Sequence, residues 1–357
     1  MIASEPRAAR PLHCLLVTGG AGFIGSAFIR WLFREDSFKG RVVNFDALTY
    51  AGNLENVEGW VDPARYRFVL GDICDRELVL RTCDEHGVDT IVNFAAESHV
   101  DRSILGPSQF IQTNVFGTLS LLEVVRARPH IHLHHVSTDE VFGCRAGLDA
   151  CTEETPYRPN SPYAASKASS DHLVRAYGAT YGISCTLSNS SNTYGPYQFP
   201  EKLIPLMILN MLDRRPLPVY GDGAHVRDWV YVDDHVEAIG CVLERGVSGS
   251  TYNIGGRTER PNLALLSALI GVVAEETECA ASELESLLTF VADRPGHDRR
   301  YAVDCGKIER DLGWSARHTL SAGLRETVRW YVSHPPWVAR VRAGAYRDWI
   351  RANYASR

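Results

Sequence analysis

The chain has 357 residues, 45% of them apolar and 22% charged. That is the composition of a folded globular protein at the length of two ordinary domains, and it excludes a disordered or fibrous chain. Lysine plus arginine number 37 against 43 aspartates plus glutamates, a net charge of −6, so nucleic acid is not an expected partner, whereas a small anionic ligand needs only a local basic pocket.

No apolar run reaches the roughly 18 residues needed to span a bilayer, so no membrane partner is expected. Met1–Leu12, with Glu5, Arg7, Arg10 and two prolines, lacks the apolar core of a secretory signal. The nine cysteines are scattered and form no CxxC pair. That argues against a disulfide framework or a zinc ribbon and for a cytoplasmic protein.

In chain order, Leu15–Thr18, Val42–Phe45, Phe68–Leu70, Ile91–Phe94, His132–Ser137 and Cys185–Asn189 read as strands. Between them, Phe23–Phe33, Arg76–Glu85, Ser108–Ala127 and Tyr163–Tyr181 carry helical patterning. Such alternation predicts right-handed βαβ units: an α/β, Rossmann-type doubly wound parallel sheet covered on both faces. From about Ser191 the rhythm breaks into proline- and glycine-rich stretches, and helical patterning returns at Leu263–Glu275 and Leu324–Tyr331. The expected division is a nucleotide-binding domain over residues 1–190, with returns near 230–255, and a smaller, mainly substrate-binding domain over 191–357.

Thr18–Ser26 reads TGGAGFIGS, between the first strand and the first helix. Gly19, Gly22 and Gly25 fit GxxGxxG, and Gly20, Gly22 and Gly25 fit GxGxxG. The glycines serve the tight turn, the approach to a pyrophosphate and the packing of helix on strand, and the helix N-terminus supplies amide donors. Asp46 ends the second strand about twenty residues on, where a carboxylate accepts from ribose hydroxyls and repels a 2′-phosphate, favouring NAD over NADP. Asp72 and Ile73 are placed to flank an adenine; on spacing alone Asp72 is equally a helix N-cap.

Tyr163 and Lys167 form YxxxK, one helical turn apart. An ammonium there lowers a phenol's pKa and makes the tyrosine a base. Ser137-Thr-Asp-Glu140 ends the fifth strand, at the sheet edge where ligands bind. Together these motifs resemble the extended short-chain dehydrogenase/reductase family. Within it the resemblance narrows to the dTDP-glucose 4,6-dehydratases and covers nearly the whole chain, including NFAAESHVD at Asn93–Asp101, SPYAASKASSDH at Ser161–His172, YGPYQFPEKLIP at Tyr194–Pro205, RPGHDRRY at Arg294–Tyr301 and the tail Gly344–Tyr354.

The resemblance implies an NAD-dependent lyase that converts dTDP-glucose to dTDP-4-keto-6-deoxyglucose. Tyr163, with Lys167 and Thr138, takes the C4 hydroxyl proton; Glu140 removes the C5 proton; Asp139 protonates the departing C6 hydroxyl. Related epimerases are not expected to carry an adjacent Asp-Glu pair, and elimination explains the need: one carboxyl as base, one as acid. Adjacent strand residues face opposite ways, so the pair must sit where the strand ends and the backbone turns. The resemblance further implies cofactor contacts at Phe23, Ile24, Leu48, Thr49, Ala95, Ala96, Ser98, Thr113 and Thr193, and substrate contacts at His99, Asn192, Glu201, Lys202, Tyr220, Arg227, Asn262 and His297. Arg227 reads as a diphosphate ligand or, taken alone, as a surface ion pair with Asp228 or Asp222. Tyr220 is placed to stack on the base.

Phe142 and Thr193 depart from the family's tyrosine and asparagine. His130, His132, His134 and His135 have no Cys or carboxylate partner at metal-site spacing, so no metal is expected. Members of the family form homodimers through two helices per subunit, for which Ser108–Ala127 and Tyr163–Tyr181 are the candidates. UDP-glucose as substrate, a 4-epimerase and a non-catalytic NAD sensor remain alternatives; the epimerase is disfavoured by Asp139–Glu140 and the sensor by the intact Thr138, Tyr163 and Lys167.

Overall fold

The computed structural model describes residues 9–35, 37–143 and 149–343. Most of Met1–Leu12 and the tail Gly344–Tyr354 lie outside the described residues. Seven strands form one sheet, all paired in parallel. The first six are β1 (Cys14–Thr18), β2 (Arg41–Asp46), β3 (Tyr66–Leu70), β4 (Thr90–Asn93), β5 (His132–Thr138) and β6 (Cys185–Ser190), and Thr251–Ile254 adds the seventh beside β6. The order β3-β2-β1-β4-β5-β6 reverses direction at β1, and ligands bind beyond the carboxyl ends at such a switch point.

The alternation of side chains along β1 shows how the sheet is covered. Leu15 and Val17 enter one apolar cluster with Phe28 and Ile29 of the helix Phe23–Arg34 and Val236 and Ile239 of Val232–Arg245. Cys14 and Leu16 enter a second with Val79 of Arg76–His86, Leu121 and Val125 of Gly117–Ala127 and Val174 of Pro162–Tyr181. Strands buried on both faces are near-continuously apolar, which is the pattern the sequence carries.

Helices Leu203–Leu212, Asn262–Thr277, Leu320–Ser333 and Pro335–Val341 share a further apolar cluster with the paired strands Leu217–Tyr220 and Leu288–Val291. This C-terminal helical region completes a Rossmann-like α/β fold. Ser108–Ala127 is not one regular helix: Ile111–Phe116 makes a π-helical turn between Pro107–Phe110 and Gly117–Ala127. No helix among the described residues is long and apolar enough to cross a membrane.

Candidate active site

Two adjoining cavities open beyond the carboxyl ends of the strands. The first is lined by Gly19, Gly22, Phe23, Ile24, Gly25, Ala96 and Ser98, and farther in by Thr138, Asp139, Glu140, Tyr163, Lys167 and Thr193. Gly19 adopts φ +68°, and a Cβ there would lie 2.6 Å from the Ala95 amide nitrogen; a Cβ on Gly25 would lie 2.3 Å from the Gly19 carbonyl. Glycine alone lets β1, the loop after β4 and the first helix approach so closely. That helix begins at Gly22 with no side-chain cap, so its first-turn amides face the cavity with the positive end of the dipole.

Asp46 closes the turn: its Oδ2 accepts from the Ala21 amide at 2.9 Å and its Oδ1 from the Leu48 amide at 2.8 Å. Burial pushes this carboxyl up and those two amides hold it back. Each oxygen keeps a second lone pair for a ribose hydroxyl. Glycine cradle, uncapped helix and second-strand carboxylate together fit a dinucleotide. Asp46, Leu48, Thr49, Asp72, Ile73, Ala95 and Thr113 are not among the cavity's described lining. Leu48 holds a left-handed φ of 48° beside Thr49. Ile73 is buried against the Gly117 backbone, and Thr113 is half-buried in the π-helical turn. Asp72 is exposed and accepts from the Cys74 amide at 2.8 Å. It is not the N-cap its spacing allowed, because Asp75 caps Arg76–His86 through the Leu78 amide at 3.0 Å.

At the chemical end, β5 stops at Thr138 and Asp139–Phe142 turn as a 3-10 helix. The carboxyl pair therefore leaves the strand where the backbone turns, as the chemistry required. Asp139 Oδ2 and Glu140 Oε2 are buried and have no hydrogen-bond partner among the described residues. Burial, and then the charge of Glu140, hold Asp139 well above the usual carboxylate range. Burial also raises Glu140, but Arg294, Arg227 and Lys202 pull it back. The two carboxyls thus differ in their readiness to hold a proton.

Pro162 and Tyr163 open the helix capped by Ser161, whose Oγ accepts from the Ala164 amide at 3.1 Å. Burial, and then Glu140, push the Tyr163 phenol up, while the Thr138 hydroxyl pulls it down. The expected net lowering of the phenol is outweighed by burial. The Lys167 ammonium instead donates to the Val136 carbonyl at 2.8 Å, and burial brings its pKa down to about 8.

The second cavity brings together His99, Asn192, Glu201, Lys202, Tyr220, Arg227, Asn262 and His297 with Glu140. Glu140, Asn192, Glu201 and Lys202 line both cavities and join them. Arg227 is not a surface ion pair. It is buried, donates to the Val226 and Asp298 carbonyls at 2.7 and 2.9 Å, and lies 4.4 Å over the Tyr301 ring. Asp222 pairs with Arg299, and Asp228 accepts from the Gly256 and Thr258 amides. Glu201 accepts from Tyr50 Oη at 2.9 Å and Arg102 Nε at 3.1 Å, and Lys202 Nζ donates to the Ser98 carbonyl at 2.6 Å. Tyr220 donates to Asp101 at 2.9 Å and meets His297 edge-on. Burial takes His99 to about 4, so it is neutral near pH 7, and burial lowers His297 against the opposing pull of the Asp293 carboxylate 2.6 Å from its Nδ1.

The sequence reading missed Asp101 and Arg294 as lining residues. Both sit at ends of the motif stretches that carried the resemblance, and Arg294 Nη1 lies 3.5 Å from Asp101 Oδ1. Phe142 is buried, edge-on to Tyr157. Thr193 bonds His235 Nδ1 at 2.9 Å through its hydroxyl.

His132 and His134 are held by the hydroxyls of Ser184, Thr186 and Ser188 on β6 and the residue before it. His225, Asp293 and His297 cluster elsewhere, but the two imidazoles stack 3.7 Å apart at 13°. Parallel rings cannot both aim an in-plane lone pair at one ion.

The GDP-mannose 4,6 dehydratase family matches residues 16–327. The dTDP-glucose 4,6-dehydratase of Neisseria meningitidis is 52% identical over 93% of this chain and 97% of its own length, and that of Salmonella typhimurium 49% identical over 96% and 99%. The structure of the dTDP-glucose 4,6-dehydratase of Streptomyces venezuelae with NAD bound superposes with a TM-score of 0.84 at 48% identity, covering 92% of this chain and 99% of that one.

Proposed function

The chain belongs to the GDP-mannose 4,6 dehydratase family, and on that premise we propose that it is an NAD-dependent hydro-lyase that converts dTDP-glucose to dTDP-4-keto-6-deoxyglucose and water. The observation that carries the reading is the Asp139–Glu140 pair, each with a buried unpartnered oxygen among the described residues, beside Tyr163 in the first cavity, with Glu140 reaching the second as well. When bound, NAD supplies the acceptor for the C4 hydride and the donor for its return to C6.

The chain's own residues do the rest. Tyr163, hydrogen-bonded by Thr138, takes the C4 hydroxyl proton, and the Lys167 charge steadies the phenolate. Glu140, held back by three cations, is the base for the C5 proton that the new ketone has acidified. Asp139, which keeps its proton more strongly than Glu140, delivers it to the departing C6 hydroxyl. Return of a proton to C5 completes the cycle, and the redox steps cancel. Arg227 and Lys202 supply the local positive charge for the diphosphate, with Tyr220, Asn262 and His297 toward the base and His99, Asn192 and Glu201 toward the sugar.

Residues 1–190, with the return near 230–255, serve the cofactor, and 191–357 mainly the sugar nucleotide. A homodimer is proposed through Ser108–Ala127 and Tyr163–Tyr181, whose flanks expose Leu105, Ile111, Phe116 and Tyr181. A cytoplasmic setting fits the eight described cysteines, all free.

The deciding experiment incubates the protein with dTDP-glucose in deuterated water without added cofactor. The expected product is a 4-keto-6-deoxy sugar carrying deuterium at C5; dTDP-galactose or unchanged substrate from folded, NAD-loaded protein overturns the reading. A parallel incubation with UDP-glucose decides the base.

A further inference from the structure

The helix that carries Tyr163 and Lys167 continues the same face to Asp171, one turn farther on. Lys167, Asp171 and His135 are all buried. The reading above uses Lys167 only through its charge, and an ammonium in such a place loses its proton easily unless something compensates. Burial raises the Asp171 carboxyl, and the Lys167 charge and its hydrogen-bond donors pull it back. Its Oδ2 accepts from Ser137 Oγ at 2.9 Å, Tyr157 Oη at 2.9 Å and Asn189 Nδ2 at 3.1 Å. Three donors on one oxygen favour the ionised form against the burial that opposes it. The other oxygen, Oδ1, has no hydrogen bond and lies 3.5 Å from His135 Nε2.

A chain of donors sets the proton on His135. The Ala95 amide donates to Thr18 Oγ1, Thr18 donates to Asn93 Oδ1 at 2.6 Å, and Asn93 Nδ2 donates to His135 Nδ1 at 3.1 Å. With Asn93 Nδ2 as the donor, the neutral imidazole carries its hydrogen on Nε2. That N–H faces Lys167 Nζ at 3.3 Å and Asp171 Oδ1. An ammonium offers it no lone pair, whereas the carboxylate does. With Lys167 charged, His135 has one acceptor to turn to, and Asp171 carries the balancing negative charge.

Asp171 is the carboxylate whose charge acts on Lys167. From β5 it meets His135 and the Val136 carbonyl, and the charge that supports it is Asp171. Arg175, on the same helix, donates to Tyr157 at 2.8 Å and favours the Asp171 carboxylate. Asp139 and Glu140 act from the turn beyond β5 on Tyr163.

We propose that Asp171, oriented through His135, is a positioning residue that keeps Lys167 protonated and so sets the pH range in which Tyr163 acts as a base. This rests on the roles given to Tyr163 and Lys167 above.

The test follows C4 oxidation alone, as the transient ultraviolet absorbance of NADH in single turnovers of the NAD-loaded enzyme with dTDP-glucose, across pH. In the parent protein the rate falls as pH rises through the Lys167 pKa, about 8. In Asp171→Asn that alkaline fall is expected at least about one pH unit lower, a roughly ten-fold loss at a fixed alkaline pH. Asp171→Glu recovers part of the range. Tyr157→Phe, which removes one donor from Asp171 and leaves the ring, moves the fall in the same direction by less. An equal loss at every pH in Asp171→Asn, or an unmoved alkaline limb in both Asp171→Asn and Tyr157→Phe, overturns the proposal. A parent protein that makes no 4-keto-6-deoxy product overturns the dehydratase reading instead, so the two failures are told apart.

Discussion

Asp139 and Glu140 are adjacent in one 3-10 turn, yet their surroundings push them apart: burial raises both, and Glu140's negative charge then adds to the rise at Asp139, whereas Arg294, Arg227 and Lys202 pull Glu140 back. That asymmetry supports the proposed roles of Asp139 as acid and Glu140 as base. Asp139→Asn removes the transferable proton and keeps the shape. Elimination is expected to slow about 100-fold or more, with C4 oxidation slowed by far less. NADH should then accumulate in single turnovers. Equal loss of both steps refutes the assignment. In Glu140→Gln, exchange of solvent deuterium into C5 should be lost together with product.

The glycine turn makes a separate prediction. A Cβ at Gly25 would press to 2.3 Å from the Gly19 carbonyl, a backbone atom that cannot swing aside. Gly25→Ala should therefore yield protein that is folded by circular dichroism but retains little NAD, measured as cofactor released on denaturation. Full retention contradicts the pyrophosphate assignment of the turn.

Much of this was legible because it is local. The strand, glycines, helix and Asp46 follow in order within residues 14–46, and each is dictated by backbone geometry at short range. Asp139–Glu140 was legible for a similar reason, since two adjacent carboxyls on a strand make sense only at its end. What could not be read depends on packing between distant segments. Asp101 and Arg294 meet across nearly two hundred residues. Arg227 looked equally like a surface ion pair until Tyr301 and the Asp298 carbonyl were seen to bury it. The Lys167 ammonium is turned to the Val136 carbonyl by β5, which no i, i+4 rule contains.

Arg227 tests whether burial has a purpose. Two of its nitrogens are committed to the Val226 and Asp298 carbonyls, which fixes the plane of the guanidinium. A lysine cannot reproduce that fork. Arg227→Lys should raise KM for the nucleotide sugar by about ten- to a hundred-fold, the cost of one or more charged hydrogen bonds, and leave kcat within a few-fold. A fall in kcat at unchanged KM assigns Arg227 elsewhere.

Stability away from the site has its own check. Gly271 lies inside the helix Asn262–Thr277, with a conventional φ and no atom within 4 Å of where a Cβ would stand. Nothing there needs a glycine. Gly271→Ala should stabilise the protein by about 0.8–1 kcal/mol in denaturant unfolding, with turnover unchanged. A destabilised variant would mean that this face of the helix packs against something the isolated chain lacks.

The same logic applies to the apolar residues left in water. Leu105 is 73% exposed, Phe116 52%, Tyr181 47% and Ile111 41%, on the flanks of the two helices proposed to pair. Scattered exposed leucines need no explanation, but three large side chains on one pair of neighbouring helices, with Leu105 just before them, do. A twofold axis there would bury each group twice. Phe116→Glu places a charge in that contact on each subunit. Sedimentation should move from dimer to monomer at micromolar concentration while NAD remains bound. A parent protein that sediments as a monomer removes the proposed pairing altogether, and a Phe116→Glu protein that stays dimeric moves the contact to another face.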